Sequence, residues 1–419
     1  MKIFRMTLTN LLHREFCLAG AKSYALVQPW ENPFVKQSDE FWMSEAILES
    51  MRGFPKASPN PSVGCVIVKN GIELSRAHTE PYGGLHAEMK AISKLDQAIL
   101  SGSSLYVTLA PCTHQGKQPP CTDALLKLGL KRIIIAMMDP NPIVSAQAID
   151  RFTAAGVEVK LGVLESEAKA INLSFCYQAS TGKLPFILKW AQSLDGALAD
   201  DNGHSQWISG ETSRLYTHFL RLKYDAIMVG ANTVIYDTPS LLSKHPHSTL
   251  ENQPTRIIFD PKSRLSSDLS TPLKSKILEK TFCKTTKSLL LTSKNRDSFT
   301  DSIEAKGHLI MTLDESDPLL SMESILSTRA VSHFLEKPLG SVFVEGGPSL
   351  INQFIKTELF LSGHTFISPV FLGGKNRILS NFSKKLTEQN FMCSLQIFNL
   401  SRDAIFEWVR GENCLSLRK

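Results

Sequence analysis

The chain has 419 residues, 42% of them hydrophobic, which is too long for one ordinary domain and apolar enough for more than one core. A formal charge of +6, from 46 basic against 40 acidic residues, suits anionic small molecules and does not demand nucleic acid. Eight cysteines scattered through so long a chain read as reduced and cytoplasmic rather than as a disulfide scaffold, and the longest apolar run, Ile133 to Met138, is far too short to cross a bilayer.

Residues 1–38 show no periodicity that places them. The first fourteen hold Lys2, Arg5, His13 and Arg14 and no acid, a faint targeting signal without an apolar core or cleavage site. A disordered extension, or a gene start set too early with Met6 and Met43 as other starts, is the preferred reading. Phe41 to Met51 has helical spacing. Pro55 to Pro61 reads as a loop, because Pro-Asn-Pro fits the interior of neither a sheet nor a helix. Val63 to Val68 reads as a buried strand that turns back at Asn70-Gly71, a strong hairpin signal.

His78 and the Gly83-Gly84 turn lead to His86-Ala-Glu88. The apolar spacing behind it, Met89, Ile92 and Leu95, is helical, which sets His86 and Glu88 near a helix N-terminus. The strand-like run Leu105 to Leu109 leads to Cys112, and eight residues separate Cys112 from Cys121. One imidazole and two thiolates give a zinc ion three protein ligands and one open position, the layout of a catalytic site. Glu88 can collect a proton from activated water and pass it to a leaving amine. His-x-Glu followed by Pro-Cys…Cys is the pattern of zinc deaminases. The plainer alternative is a buried cysteine pair, or a structural zinc closed by His114; the carboxylate, the order of the residues and the strand–helix context count against it.

Beyond Cys121 the pattern gives a helix (Asp123 to Leu128), a strand (Arg132 to Met137), a helix from about Ser145 to Ala155 and a strand (Val157 to Lys160). Strand and helix alternate, which predicts a three-layer α/β sandwich. Leu164 to Ser180 reads as one connecting helix. A second domain opens with a strand, Pro185 to Gln192, and a turn at Ser193-Leu-Asp-Gly196. Thr212 to Lys223 reads as a helix with Leu215, Phe219 and Leu222 on one face, followed by a strand from Asp225 to Val229. Gly230 to Thr233 and Asp237 read as a loop at that strand's C-terminal end, where open α/β sheets bind ligands. Thr255 to Phe259 is another strand. Between 264 and 340 only a strand near Leu289 is legible. Ser341 to Glu345 reads as a strand that ends in Gly346-Gly347-Pro348 before a helix from Ser349 to about Lys356. Bare N–H groups at such a helix start suit a phosphate. Gly-Gly there is by itself more often a tight turn, and it is not the dinucleotide fingerprint Gly-x-Gly-x-x-Gly.

Several motifs, in order, carry a resemblance: Ser58-Pro-Asn-Pro-Ser-Val-Gly64, His86-Ala-Glu88, Thr108-Leu-Ala-Pro-Cys112 through Pro119-Pro-Cys121, Asp139-Pro-Asn-Pro142, Ser193-Leu-Asp-Gly196, Ser205-Gln-Trp207 and Val344-Glu-Gly-Gly347. Together they resemble the bifunctional riboflavin-biosynthesis deaminase/reductase of the RibD or RibG type, over roughly Asp39 to Gly374. The resemblance implies a cytidine-deaminase-like sandwich followed by a dihydrofolate-reductase-like α/β domain, with zinc in the first and NADPH in the second. It implies an extension over 1–38, a deaminase over 39–162, a connector over 163–184 and a reductase over 185–419. The substrate it implies is a diaminopyrimidinone carrying a phosphoribosylamino group, with no nucleic acid and no membrane. Oligomers are common in the family, and a homo-oligomer is carried over only as an analogy.

Residue by residue, the resemblance makes His86, Cys112 and Cys121 the zinc ligands and Glu88 the proton shuttle. Asn60, His78, His114 and Lys117 would hold the substrate in the deaminase. Turn chemistry is an equal reading for Asn60, a solvated loop for Lys117 and a loop-stabilising bond for His114. In the reductase, Ala191, Trp207, Thr233, Asp237 and the segment from Gly347 through Pro348 and Ser349 to Gln353 would line the NADPH site. Ser205, Arg221, Leu241, Lys244 and Glu345 would meet the substrate, with Arg221 and Lys244 at its phosphate; an exposed helix arginine is the plain reading of Arg221. This chain departs from the family at Ala110, where glutamate is usual, at Ala146-Gln-Ala148 for Gly-x-Gly, and at Thr238 in place of the second aspartate after Asp237. Lys244 stands for an arginine and cannot grip phosphate bidentately. Three other readings stay open: a nucleic-acid or nucleoside deaminase with an accessory domain, a zinc protein without catalysis, and a reductase-only remnant.

Overall fold

The structure is a computed structural model that describes residues 35–115, 118–140, 142–200, 208–293, 297–373 and 393–411. The expectations for residues 1–34, Lys117, Ser205 and Trp207 lie outside the described residues. The chain divides into two compact units between Lys183 and Leu184. No helix among the described residues is long and apolar enough to cross a membrane.

The first unit opens with α1 (Asp39–Ser50), whose N-cap Ser38 accepts from the Phe41 N–H with its hydroxyl. Strands β1 (Gly64–Lys69) and β2 (Ile72–His78) form the expected antiparallel hairpin. Asn70 and Gly71 both take positive φ at its turn, 54° and 74°. Then follow α2 (Ala87–Ile92), α3 (Gln97–Leu100), β3 (Ser104–Leu109), α4 (Cys121–Leu125), β4 (Arg132–Met137), α5 (Pro142–Ala154) and β5 (Glu158–Leu161). The sheet order is β2-β1-β3-β4-β5, with β3, β4 and β5 parallel. Ile133, Ile134 and Ile135 of β4 are fully buried, as a parallel strand covered on both faces requires. Each such side chain stabilises the fold by about 1.5–3 kcal/mol. Gly64 lets β1 lie against α1: a Cβ there would sit 1.8 Å from the Ala46 carbonyl oxygen.

The single connecting helix expected from Leu164 to Ser180 is instead two helices, α6 (Glu165–Ile171) and α7 (Leu173–Thr181), broken at Asn172. The helix expected from Asp123 starts earlier, at Cys121.

The second unit runs β6 (Phe186–Ser193), α8 (Glu211–Lys223), β7 (Ala226–Gly230), α9 (Ala231–Asp237), β8 (Thr255–Asp260), α10 (Thr271–Lys280), β9 (Ser288–Thr292), α11 (Ser298–Glu304), β10 (Leu309–Thr312), α12 (Pro318–Leu326), α13 (Arg329–Leu335), β11 (Val342–Glu345), α14 (Pro348–Thr357), β12 (Ser362–Ser368), β13 (Cys393–Leu400) and β14 (Asp403–Val409). Its sheet order is β10-β9-β8-β7-β11-β6-β12-β14-β13, parallel from β10 to β12 and antiparallel through β14 and β13. One apolar cluster, around Phe186, Met228, Val344 and Phe354, packs one face; a second, around Ile227, Ile258, Leu290 and Phe282, packs the other.

Two expectations change here. Gly230 to Asp237 is a helix start and a helix, α9, rather than a loop. On α8 the buried face carries Tyr216, Leu220 and Leu222, while Leu215 and Phe219 are only half-buried. Tyr216 is apolar enough along its ring to pack, and its hydroxyl donates to the buried Glu407 at 2.7 Å.

Candidate functional site

The first site forms at one edge of the first unit's sheet. The C-terminal ends of the parallel strands β3 and β4 lie there with the start of β1 and the end of β2, because Gly64 pairs with His78 and Cys65 with Val107. Three expected ligands meet at this edge. His86 is the N-cap of α2, Cys112 follows β3, and Cys121 is the first residue of α4. The His86 Nδ1 lies 3.5 Å from Cys112 Sγ and 3.3 Å from Cys121 Sγ. Among the described residues this trio is the one group with ligand-atom spacing for a metal ion, all its ligand atoms lying within 4.8 Å. Zinc bonds of about 2.1 Å to nitrogen and 2.3 Å to sulfur, at tetrahedral angles, put ligand atoms about 3.6 Å apart. The trio fits zinc.

The two thiols act on each other: Cys112 is drawn down, by hydrogen bonding with the Cys121 side chain first and then by His86, against the opposing effect of burial, while Cys121 is pushed up by the same bond and by burial. The Cys121 backbone N–H, at a helix start, also faces Cys112 Sγ at 3.3 Å. Glu88 is only 3% exposed. Burial raises its carboxyl to about 7, so that it can both accept and release a proton near neutral pH.

Around the trio, Asn60 and His78 are half-buried and His114 is exposed. His78 Nδ1 is held by the buried Glu49 carboxylate at 2.8 Å. Burial pushes the Glu49 carboxyl up, but the bond to His78 and the charges of Arg52 and Arg76 outweigh it and hold the group below its ordinary value. Sequence reasoning missed Glu49, which looks like any polar helix residue until the fold brings it to β2. Ala110 is buried at the end of β3, its N–H donating to the Met137 carbonyl at 3.0 Å, so it serves as a wall of this edge.

The second site is a cleft of about 810 Å³ in the second unit. It lies at the C-terminal ends of parallel strands: Lys189 and Ala191 come from β6, Gly230 from β7, Asp260 from β8 and Glu345 from β11. Ligands bind open parallel sheets at this edge. The cleft brings together the expected Ala191, Thr233, Asp237, Arg221, Glu345, Gly347, Pro348, Ser349 and Gln353. It does not include Leu241 or Lys244 among its lining residues. The Leu241 side chain is 2% exposed and belongs to the core, and Lys244 is exposed.

Arg221 is not an exposed helix arginine. Its Nε and Nη2 donate to the Glu345 carboxylate at 2.6 and 2.8 Å, and its Nη1 donates to the Leu242 carbonyl at 3.0 Å. Lys189 is the register partner of Glu345 on the adjacent parallel strand. Burial lowers the Lys189 ammonium's pKa, with Glu345 opposing. Sequence reasoning missed Lys189, although a lysine inside an otherwise apolar strand, Phe186-Ile-Leu-Lys189, was a usable signal. The ten-residue α14 starts at N-cap Gly347 with no side-chain cap, so its first N–H groups open on the cleft. That bare helix start fits the phosphates of a nicotinamide dinucleotide.

Comparison with known proteins matches both units. Residues 36–137 match the cytidine and deoxycytidylate deaminase zinc-binding region, and residues 186–396 match the RibD C-terminal domain. The riboflavin biosynthesis protein RibD of Aquifex aeolicus is 34% identical over 90% of this chain and 99% of its own length. That of Bacillus amyloliquefaciens is 37% identical over 80% of this chain and 86% of its own length. Among solved structures, Acinetobacter baumannii RibD aligns with a TM-score of 0.72 at 30% identity, over 89% of this chain and 98% of that one. A Thermotoga maritima diaminohydroxyphosphoribosylaminopyrimidine deaminase/5-amino-6-(5-phosphoribosylamino)uracil reductase aligns with a TM-score of 0.74 at 29% identity, again over 89% and 98%. With a zinc deaminase domain ahead of a reductase domain, this chain belongs to the RibD family of bifunctional riboflavin biosynthesis enzymes.

Proposed function

We propose that the two sites act in turn on one phosphorylated pyrimidine. Diaminohydroxyphosphoribosylaminopyrimidine loses an amine as ammonia in the first, and the resulting 5-amino-6-(5-phosphoribosylamino)uracil has its ribosyl chain reduced to ribityl in the second, the pair of activities named for the Thermotoga maritima relative. The observation that carries this reading is the spacing of His86, Cys112 and Cys121 beside the buried Glu88.

His86, Cys112 and Cys121 would hold zinc, which would supply a water activated near neutral pH. Glu88 takes one proton as the water oxygen bonds to the ring carbon and passes it to the exocyclic nitrogen as that C–N bond breaks, while the water's second proton goes to the adjacent ring nitrogen and ammonia leaves. His78, with Nδ1 bonded to Glu49, offers its other ring nitrogen to the substrate, and Asn60, His114 and Lys117 supply further polar contacts. In the second site NADPH supplies the hydride, and the protein's part is to hold the nicotinamide against the ribose C1′. Gly347 to Gln353 receive the cofactor's phosphates, with Ala191, Trp207, Thr233 and Asp237 along its length. Glu345 and Arg221, locked to each other, present a rigid polar wall to the substrate, which Ser205 also meets. Lys189, half-buried and with its ammonium holding its proton less tightly than usual, serves the ribose oxygen that is freed as the ring opens. Lys244 steers the phosphate from outside the cleft.

Eight residues between the cysteines and a cleft of this chemistry favour a small ribotide over nucleic acid. Cys65, Cys112, Cys121, Cys176 and Cys283 form no disulfide, which supports reading the setting as cytoplasmic. The test is to give zinc-loaded protein the diaminopyrimidine ribotide with and without NADPH and follow the products by mass. Loss of the amine without NADPH, then a gain of two hydrogens with it, is the expected result. Reduction of supplied deaminated intermediate without any deamination would overturn the two-step reading.

A further inference from the structure

The break between α6 and α7 has a purpose. Asn172 fills it with φ −97° and ψ 25°, while its backbone stays bonded on both sides: its N–H donates to Ala168 O at 3.2 Å, and its carbonyl accepts from Cys176 N at 2.9 Å. Its side chain points away from both helices to a residue 110 positions earlier. The Asn172 Oδ1 accepts from the Ser62 N–H at 2.9 Å, and its Nδ2 donates to the Ser62 carbonyl at 3.1 Å. Asn172 is 3% exposed and Ser62 1%. A carboxamide with one acceptor and one donor thus pairs both backbone polar groups of Ser62, two residues before β1 begins.

Ser62 lies between the Pro55–Pro61 loop and β1, which starts at Gly64. The loop's prolines donate no N–H. Its own backbone closes two turns, the Ser58 N–H donating to the Pro55 carbonyl and the Asn60 N–H to the Ala57 carbonyl at 3.1 Å each, and the residues after it are anchored by groups from elsewhere. The Ser62 hydroxyl donates to the Ser50 carbonyl. The next residue, Val63, donates to Thr79 Oγ1 and accepts from the Thr79 N–H, both at 3.0 Å. Asn60 stands two residues before this anchor, and His78 directly precedes Thr79. Two of the four residues assigned to the deaminase substrate, Asn60 and His78, thereby flank one anchored point, and Asn172 joins Ser50 in tying it from outside the sheet.

We propose that Asn172 is a positioning residue of the deaminase: by gripping both backbone polar groups of Ser62 it sets the place of Asn60 relative to the zinc trio. This rests on the deaminase reading above and adds to it a residue far from the zinc motif in sequence. Removing the grip leaves two buried backbone groups unpaired and frees the loop.

The test is a double-mutant cycle on the full chain, read by steady-state deamination of the diaminopyrimidine ribotide. N172A should lower deaminase kcat/KM about tenfold, mainly through KM, while zinc stays at one per chain and reduction of supplied deaminated intermediate is unchanged. N60A should lower it at least as much. In N60A/N172A the second loss should largely vanish, because both act through one loop. N172D, which sets a buried carboxylate oxygen against the Ser62 carbonyl in place of the donor, should lose at least as much as N172A; N172Q, which keeps both amide groups on a longer stem, should fall between wild type and N172A and serves if N172A folds poorly. Additive losses, or equal losses in both activities, would show a general structural role and sink the proposal. If N60A itself has no effect, the assignment of Asn60 is wrong, and the purpose given to Asn172 goes with it.

Discussion

The two sites are built in opposite ways. The deaminase trio and its carboxylate come from one stretch, His86 to Cys121, and need only the end of one strand and the starts of two helices to meet. The reductase cleft collects residues from Lys189 to Gln353, through the C-terminal ends of four parallel strands and the helices that follow them. A short-range site carries its geometry in its spacing, so a ligand set can be read almost directly. A long-range site has no such spacing. Its residues are brought together by strand order, and strand order is written nowhere locally.

The sharpest test of that contrast is E88Q. The substitution keeps the shape of a buried side chain and removes its proton chemistry. Deamination should fall by about 10² to 10⁴, while reduction of supplied intermediate stays at the wild-type rate. Stripping zinc with a chelator should give the same split, with deamination returning on adding zinc. A parallel loss of reduction would mean that the two sites are not separately built.

The cleft should fail differently. Glu345 and Arg221 form a bidentate pair in which both side chains are mostly buried, 13% and 15% exposed. Removing one partner of such a pair leaves a charge without an answer and costs about 3–5 kcal/mol. E345Q should therefore reduce activity at the cleft about a hundredfold and also lower stability, whereas E88Q should leave stability near wild type. The check is a urea titration of both variants beside the two activity assays. E345Q with normal stability and normal reduction would show the pair to be incidental to the site.

The same contrast explains what could be read ahead of the fold. The zinc trio, Glu88, the Asn70-Gly71 hairpin and the strands Arg132–Met137 and Val342–Glu345 were legible because each is a local pattern of apolar period or turn chemistry. The region from 264 to 340 was not, because its strands are short, four residues in β10, and its helices are only partly buried. Signals did exist there in the caps. Asp297 caps α11 through Phe299 and Thr300, and Asp317 with Pro318 opens α12. Gly230 to Asp237 reads as a loop because glycine and asparagine dominate its start, yet glycine is also a helix N-cap. The Arg221–Glu345 pairing could not be read, since it depends on α8 reaching the end of β11, and the signal at Lys189 did not name Glu345, which stands beside it only because β6 and β11 are neighbours. Leu241 shows the converse: a residue carried over by likeness is seated in the core.

The smallest expected effect belongs to the edge of the first unit away from the zinc trio. Asp39, at the start of α1, accepts from Tyr106 Oη at 2.9 Å, from Arg132 Nη1 and Nη2 at 3.1 Å each, and from Lys160 Nζ at 2.7 Å. Tyr106 and Arg132 lie in the first halves of β3 and β4, away from the strand ends that carry the zinc site, and Lys160 reaches Asp39 from the short β5 beside them. Burial works to raise the Asp39 carboxyl, but the bonds to Arg132, Lys160 and Tyr106 outweigh it and hold it at about 2. A carboxyl with a lower pKa folded than unfolded stabilises the fold fully above its unfolded value near 4 and loses that contribution as pH falls through the folded value. Allowing for solvent around the two long basic side chains, D39N should cost about 1–2 kcal/mol at neutral pH. The difference between wild type and D39N should then shrink as the pH is lowered from 4 towards 2, followed by circular dichroism through urea unfolding. Deaminase kcat and KM should not change at neutral pH, because this cluster touches no residue of the zinc edge. A deaminase defect in D39N without loss of stability would mean that the two edges of this sheet are coupled.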